Sequence, residues 1–184
     1  MIPDPRIPSH MDKLRRAVRD VPDFPKKGIV FKDITPILQD GKLLGQAMES
    51  LASHYRDRGI TKVVGAEARG FIFAPVVAYL LGAGFVPVRK PGKLPHKTRG
   101  ISYTLEYGTD RLEIHEDAIL KGEKVLCLDD LLATGGTMKA CCGLVESLGG
   151  KVVGCGFLIE LGFLPGRQKL NGYDIFSVIT YDAE

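Results

Sequence analysis

The sequence has few cysteines, no strong excess of either charge and no long hydrophobic run. Lysine and arginine number 25 and aspartate and glutamate 22, so the formal net charge is only +3 over 184 residues. A general nucleic-acid binder would carry a larger basic excess, and a membrane-spanning helix would need about 18 consecutive apolar residues. The first ten residues, MIPDPRIPSH, lack the apolar stretch of a secretory signal. We therefore expect no nucleic-acid partner, no membrane partner and no secretory signal.

The four cysteines do not form a pattern typical of a zinc site or a disulfide framework. Cys127, Cys141, Cys142 and Cys155 lie within apolar stretches and show no Cys-x-x-Cys spacing. The adjacent pair is poorly suited to a disulfide, because the geometry of that bond does not fit neighbouring residues. We expect all four to be small core residues of a protein in the reducing cytoplasm.

Short β-branched runs alternate with helical patterns along most of the chain. The predicted strands include TKVVG, GFVPV, KVLCLDD, KVVGCGFLIE and DIFSVIT. Their alternation with helices predicts an α/β fold with a mostly parallel, buried sheet flanked by helices. Ile101–Leu105 and Arg111–Ile114 alternate polar and apolar residues around residues 107–110, which predicts an antiparallel hairpin standing off the sheet. We expect a single domain over residues 1–184, with an N-terminal subdomain at 1–35 and a core at 36–184.

The most informative segment is Val125–Thr137, VLCLDDLLATGGT. A buried apolar run leads into a loop containing Gly135 and Gly136, and an amphipathic helix follows. Two glycines permit backbone conformations in which successive N–H groups point at one anion, and the helix presents its positive end. With the hydroxyls of Thr134 and Thr137, the loop is suited to a dianionic monophosphate.

Asp129 and Asp130 precede this loop and need a different role, because carboxylates repel a phosphate. They can accept hydrogen bonds from vicinal sugar hydroxyls, with a divalent cation nearby to offset the charge. A ribose 5-phosphate would satisfy both halves of the segment. The alternative is a strand end with two solvated aspartates, followed by a turn that caps a helix. The segment lacks the Gly-Lys-[Ser/Thr] of a P-loop, which disfavours an ATPase or a kinase.

Taken whole, the segment resembles the 5-phosphoribosyl-1-pyrophosphate (PRPP) motif of the type I phosphoribosyltransferases: a hydrophobic run, an acidic pair, then small-Thr-Gly-Gly-Thr. Other segments resemble, in order, blocks of the members that act on adenine: FPKKGIVFKDITPIL (24–38), GAEARGFIFAP (65–75), VRKPGKLP (88–95), YTLEYG (103–108) and LLATGGTMKA (131–140). The resemblance begins at about residue 20 and continues to the end. It implies a type I phosphoribosyltransferase-like fold with a small N-terminal hood and a flexible antiparallel hairpin lid at about 95–114.

The resemblance implies that PRPP binds at two loops. Its ribose and 5-phosphate would contact seven residues: Asp129, Asp130, Ala133, Thr134, Gly135, Gly136 and Thr137. Its pyrophosphate would lie at Glu67, Ala68 and Arg69. A guanidinium at Arg69 can also give bidentate hydrogen bonds to phosphate oxygens. The alternative for this loop is a simple turn at Gly70 with a solvated arginine.

A basic stretch without acidic residues runs from Val88 to Arg99. It is either a solvated loop or a mobile lid that neutralises the charges of PRPP. The resemblance implies that Arg89 and Lys93 reach pyrophosphate across a dimer interface, so we expect a homodimer.

The remaining site residues are implied by the resemblance alone. A lone strand glutamate is usually exposed and inert, but Glu106 matches the family's acid/base candidate for the proton lost by the purine. Tyr107 would belong to the lid. Main-chain groups of Val30 and Lys32 would read the edge of adenine. Many members carry arginine at Lys32, a change that keeps main-chain recognition but removes any role of the guanidinium.

The expected reaction is adenine plus PRPP giving AMP and pyrophosphate, in purine salvage. Mg²⁺ would be bound mainly through PRPP rather than by a dedicated cage of protein ligands. One alternative is a phosphoribosyltransferase for guanine, xanthine or orotate. The other is a non-catalytic PRPP- or nucleotide-sensing regulator, although no helix-turn-helix segment of the kind such regulators commonly add is evident.

Overall fold

The computed structural model describes residues 9–105 and 108–183. In chain order, the elements are α1 (Ser9–Ala17), β1 (Arg19–Pro22), β2 (Val30–Asp33), α2 (Thr35–Gln39), α3 (Gly41–Tyr55), β3 (Lys62–Ala66), α4 (Gly70–Leu81), β4 (Gly84–Val88), β5 (Thr98–Leu105), β6 (Gly108–His115), β7 (Lys124–Leu132), α5 (Gly136–Ser147), β8 (Lys151–Leu161), α6 (Gly166–Lys169) and β9 (Ile175–Tyr181). The short helices α2 and α6 were not predicted from the sequence.

Five strands form the central sheet in the order β4-β3-β7-β8-β9. Each neighbouring pair is parallel. Strand β7 occupies the middle of the sheet beside β3, and most apolar residues of these two strands are almost completely buried, as expected for parallel strands covered on both faces. The predicted α/β fold with a mostly parallel sheet is confirmed.

Helices cover both faces of the sheet and enclose two apolar cores. One core lies between the sheet and α1, α2, α3 and α4. The other lies between the sheet, α5 and the base of the β5–β6 hairpin. All four cysteines are free and buried, in agreement with their predicted role as core residues.

Local signals in the sequence explain the longest helix. The side chain of Asp40 accepts hydrogen bonds from the N–H groups of Lys42 (2.8 Å) and Leu43 (3.0 Å), which caps the start of α3. After a 3₁₀ turn at Arg56–Arg58, Gly59 takes a left-handed conformation with φ of +70° and ends the helical stretch.

The predicted antiparallel hairpin is confirmed, although the position of its turn differs from the prediction. Its strands pair antiparallel from Thr98 opposite His115 to Leu105 opposite Gly108. The predicted turn at 107–110 is therefore wrong, because residues 108–110 belong to β6. The hairpin forms a two-stranded sheet separate from the central sheet, as predicted, but its base is not free, because the apolar residues that alternate on one face of β6 are buried in the second core.

The N-terminal region contributes both to the core and to a small separate sheet. Strands β1 and β2 form an antiparallel pair. The preceding helix α1 packs on the core through the fully buried Leu14, and Arg15 donates to the carbonyl of Thr180 at 2.6 Å. Within the described residues, no helix is long and apolar enough to cross a membrane.

Candidate active site

The predicted phosphate loop lies at the carboxyl end of β7, where the chain enters α5. Asp129 and Asp130 belong to β7 rather than following it, because this strand continues to pair with β8 beyond them. Gly135 has φ of +76° and immediately precedes Gly136, the first residue of α5. A Cβ at Gly135 would also lie only 2.8 Å from the carbonyl oxygen of Gly166, so glycine is required there. The first N–H groups of α5 have no partner within the helix and can receive an anion.

A polar cleft of about 160 Å³ opens on this loop. Its lining includes all seven residues predicted to contact ribose and 5-phosphate: Asp129, Asp130, Ala133, Thr134, Gly135, Gly136 and Thr137. Arg69, from the predicted pyrophosphate loop, also lines it. A larger groove of about 590 Å³ lies against α3 and contains none of these groups. The chemistry of the lining therefore distinguishes the candidate site better than size does.

Asp129 and Asp130 form a coupled acidic pair in this cleft. Asp130 is 5% exposed, and its Oδ2 lies 2.7 Å from Nε of Arg69. Burial, together with the charge of Asp130, raises the pKa of Asp129 well above its ordinary value. Burial also raises the pKa of Asp130, while Arg69 opposes this shift. The pair is therefore suited to hydroxyl donors or a cation, either of which would favour the ionised form of both carboxylates.

Arg69 links the acidic pair to the N-terminal region. Besides its ion pair with Asp130, its guanidinium carbon lies 5.4 Å from the centre of the Phe31 ring, within the range of a cation–π contact. The next residue, Gly70, starts α4, and a Cβ there would lie 3.2 Å from Oδ1 of Asp129. Gly70 thus permits a close approach between the two loops and is more than a simple turn.

The two predicted pyrophosphate-binding cations Arg89 and Lys93 are also brought together, because both pair with the carboxylate of Glu67. Arg89 donates from Nε and Nη2 to the two carboxylate oxygens of Glu67, both at 3.1 Å, and Lys93 donates to Oε1 at 2.7 Å. These hydrogen bonds, that from Arg89 above all, lower the pKa of Glu67 to about 2. The peptide bond between Glu67 and Ala68 is cis. Both cations thus pair with an acid of their own chain, and their reach across a dimer interface stays a prediction.

A polar network that was not predicted from the sequence joins three parts of the site. Lys90 forms an ion pair with Asp110 on β6. Asp110 also accepts a hydrogen bond at 3.1 Å from the hydroxyl of Tyr103, which lies 3.4 Å from Oγ1 of Thr137 in the phosphate loop. Tyr103 and Asp110 are directly opposite in the hairpin. A correct register, with Leu105 opposite Gly108, would have predicted that pair.

The N-terminal sheet carries the residues predicted to read adenine. Among the described strands, β2 pairs only with β1, which leaves one edge of β2 for other main-chain partners. The ammonium of Lys32 is 2.8 Å from Asp20 and 4.5 Å from the centre of the Tyr181 ring. Its side chain therefore has structural partners, and any reading of a base by Lys32 would use its main chain, like that predicted for Val30.

Two predicted site residues, Glu106 and Tyr107, lie outside the described residues. Their assignments as acid/base group and lid residue stay predictions.

Comparison with known proteins decides the family. The sequence model of the phosphoribosyl transferase domain family matches residues 35–180 of this chain. The adenine phosphoribosyltransferase of Solibacter usitatus is 58% identical over 172 residues, which cover 94% of this chain and 99% of that protein. The chain belongs to the adenine phosphoribosyltransferase family.

Solved structures of other adenine phosphoribosyltransferases have the same fold. The crystal structure of the enzyme from Thermoanaerobacter pseudethanolicus is 56% identical, with a TM-score of 0.91, and the match covers 93% of this chain and 99% of that one. The enzyme from Saccharomyces cerevisiae, crystallised with an imino-altritol bisphosphate and adenine, is 40% identical, with a TM-score of 0.88 and coverage of 92% and 98%. The predicted fold class and enzyme class are confirmed.

Proposed function

We propose that the cleft at the ends of β3 and β7 is the site where this chain transfers the 5-phosphoribosyl group of PRPP to adenine, giving AMP and pyrophosphate in purine salvage. The observation that carries the proposal is the juxtaposition in one cleft of a helix N-terminus with a glycine loop, the carboxylates of Asp129 and the buried Asp130, and the Arg69 guanidinium. A phosphate, a pair of sugar hydroxyls and a pyrophosphate each find a complementary group there. Adenine as the base is supported by family membership, including a relative crystallised with adenine.

In this proposal, PRPP extends between the two loops. The 5-phosphate accepts hydrogen bonds from the backbone N–H groups of residues 133–137 and from the hydroxyls of Thr134 and Thr137. The ribose hydroxyls donate to Asp129 and Asp130. As the bond from the anomeric carbon to pyrophosphate breaks, positive charge develops on the sugar, and the same two carboxylates stabilise it. The chain contributes mainly positioning and electrostatics.

Pyrophosphate would lie against Glu67, Ala68 and Arg69, with Arg89 and Lys93 as further donors. Because both cations pair with Glu67 in the structure, they must exchange that carboxylate for pyrophosphate oxygens when the ligand binds. Arg69 must likewise share its donors between Asp130 and the ligand. It retains Nη groups for this purpose, since the ion pair uses Nε.

Adenine would lie beside β2, where the main-chain groups of Val30 and Lys32 read its edge. The aromatic ring of Phe31, which contacts Arg69, would place the base close to the ribose. We retain Glu106 as the acid/base residue and Tyr107 as a lid residue. Since the base of the hairpin is packed in the core, any lid movement would be confined to its distal part. We also retain residues 1–35 as arm and hood and 36–184 as core, with the lid at about 95–114.

The donor set fits Mg²⁺ only if the substrate supplies most of the ligands. In the described part of the chain, no group of three or more histidine, cysteine, aspartate or glutamate residues could hold a metal ion. Asp129 and Asp130 nevertheless offer hard oxygen ligands at the cleft, and Mg²⁺ usually binds through one or two carboxylates plus substrate phosphates. When bound, the ion would neutralise charge on the leaving pyrophosphate.

We also propose that the chain works as a homodimer in the cytoplasm. One face of α4 exposes four apolar side chains: Ile72, Val76, Tyr79 and Leu80. Their helical spacing makes a continuous stripe of the kind that a second copy would cover. Phe71, the residue before Ile72, lies 5.9 Å from the guanidinium of Arg89, so such an interface would adjoin the basic stretch. Sedimentation should give a dimer, and Tyr79→Glu should yield monomers.

The activity test is direct. Purified protein with PRPP, Mg²⁺ and adenine should form AMP, and parallel reactions with guanine, xanthine or orotate should form little product. Asp129→Asn/Asp130→Asn should abolish turnover, whereas Asp57→Asn, an exposed acid remote from the cleft, should not change it. Negligible AMP formation together with turnover of another base would show that adenine is not the substrate. If no base is turned over, the proposal is overturned.

A further inference from the structure

The phosphate loop is supported from behind by a segment that the proposed reaction does not use. Helix α6 lies between β8 and β9, and its first residue, Gly166, is buried. A Cβ at Gly166 would collide with the carbonyl oxygen of Ala133 and would lie 2.9 Å from Cδ1 of Leu132. On the other side of the contact, a Cβ at Gly135 would approach the Gly166 carbonyl. The two backbones therefore touch through glycines, and any movement of α6 must reach the phosphate loop.

In the described part of the chain, Arg167 ties α6 to the sheet through an ion pair with Glu160 on β8 and a longer hydrogen bond, 3.5 Å, to the carbonyl of Ile175 on β9. Arg167 donates from Nε to Oε1 of Glu160 at 2.8 Å and from Nη2 to Oε2 at 2.6 Å. Ser177 on β9 donates to the same carboxylate at 2.7 Å. Bidentate, charge-assisted pairs of this type fix orientation as well as distance. The pair thus holds a helix of only four residues, which is too short to keep its place by its own hydrogen bonds.

The position of Glu160 explains why this ion pair bears on the site. Glu160 is 3% exposed and lies opposite Leu132, the last residue of β7, in the parallel register of β7 and β8. The carboxylate therefore lies beside the point at which the phosphate loop leaves the sheet. A buried acid at that position would be costly without its partner, so its presence calls for a role.

We propose that Glu160 and Arg167 are positioning residues that hold α6 against the phosphate loop and thereby fix the loop in its anion-binding conformation. This inference rests on the proposed function, because it takes the ligand of the loop to be the 5-phosphate. Neither side chain touches the ligand. They act through the contact between Gly166 and the loop, so their loss should weaken phosphate binding more than the chemical step.

Three variants test this. Arg167→Lys keeps the charge but cannot bridge both carboxylate oxygens. Gly166→Ala leaves the ion pair in place and pushes directly on the loop. Arg56→Lys is the matched control, since Arg56 pairs with Glu49 at 2.6 Å on the exposed surface of the chain. The measurements are the Kd for ribose 5-phosphate by calorimetry, KM for PRPP, kcat, and thermal unfolding.

For Arg167→Lys and Gly166→Ala, we expect Kd for ribose 5-phosphate and KM for PRPP to rise about tenfold, with kcat changed by less than about threefold. Arg56→Lys should match the unmodified protein. If Arg167→Lys folds cooperatively and binds ribose 5-phosphate with unchanged Kd, the positioning role is refuted, even if its stability falls and whatever the effect of Gly166→Ala. If the unmodified protein neither binds ribose 5-phosphate nor forms AMP, the proposed function fails as well, so the two failures are distinguishable.

Discussion

Neutralising Glu67 should lower stability at neutral pH and should have little effect in strong acid. Glu67→Gln keeps the size of the side chain but removes the charge that pairs with Arg89 and Lys93. The pKa of Glu67 falls from an ordinary value of 4.5 to about 2, which sets an upper limit of about 3.4 kcal/mol at about 1.4 kcal/mol per pKa unit. Because the side chains of Arg89 and Lys93 are 33% and 48% exposed, solvent screening reduces the expected loss to about 1–2 kcal/mol.

The sign of the pH dependence follows from the lowered pKa. A carboxyl group with a depressed pKa in the folded state contributes its full stabilisation above its unfolded pKa, and this contribution disappears as the pH falls through the folded pKa. The difference between the unmodified protein and Glu67→Gln should therefore be constant above about pH 5. It should fall to about half near pH 3.3, midway between the two pKa values, and vanish toward pH 2.

Urea unfolding followed by circular dichroism at several pH values gives this difference directly. Glu49→Gln is the control, because Glu49 forms an exposed ion pair with Arg56, and we expect its effect to stay below about 0.5 kcal/mol. A difference for Glu67→Gln that is absent at pH 7, or that persists unchanged at pH 3, would refute the ion-pair explanation. The variant should also bind pyrophosphate more tightly, because its two cations no longer have to leave a charged carboxylate.

Three further variants probe other parts of the site. Gly135→Ala places a side chain at φ of +76° against the Gly166 carbonyl. It should raise KM for PRPP at least about tenfold and destabilise the fold by about 1–3 kcal/mol. The control Gly45→Ala, in α3 with open space where its Cβ would lie, should stabilise the fold by about 0.5–1 kcal/mol. Glu106→Gln should reduce kcat about 100-fold without changing the melting temperature, and unchanged turnover would remove its proposed role. Tyr103→Phe removes the hydroxyl between Asp110 and Thr137 and should raise KM for PRPP about threefold. The control Tyr173→Phe loses a similar hydrogen bond to Glu146 and should leave KM unchanged. Equal effects of the two variants would contradict a role of the Tyr103 hydroxyl in PRPP binding.

The fold was largely predictable because its signals are local. The apolar run before Asp129 predicts a buried strand, and Gly59 is the kind of residue that ends a helix, both from neighbouring residues alone. The hairpin register was not predicted correctly. An alternating pattern is compatible with more than one turn, and the burial of Leu112 and Ile114 becomes evident only when α5 packs against them.

The site was predictable as a set of loops but not as a set of contacts. The phosphate loop needs only the residues from Asp129 to Thr137, because a strand end, a glycine turn and a helix N-terminus together create its geometry. The pairing of Glu67 with Arg89 and Lys93 could not be predicted in the same way. Several acids and bases lie in these segments, and which of them meet depends on how β3, β4 and the basic stretch lie side by side.

The sequence alone thus determined the alternation of the main strands and helices, the parallel sheet and the chemistry of the phosphate loop, since each depends on residues close together in the chain. Only the tertiary structure decided the partners of Arg69, the network around Tyr103 and the support of the phosphate loop by α6. These contacts join residues far apart in sequence, and their energies depend on distance, burial and orientation, which are defined only in the folded chain.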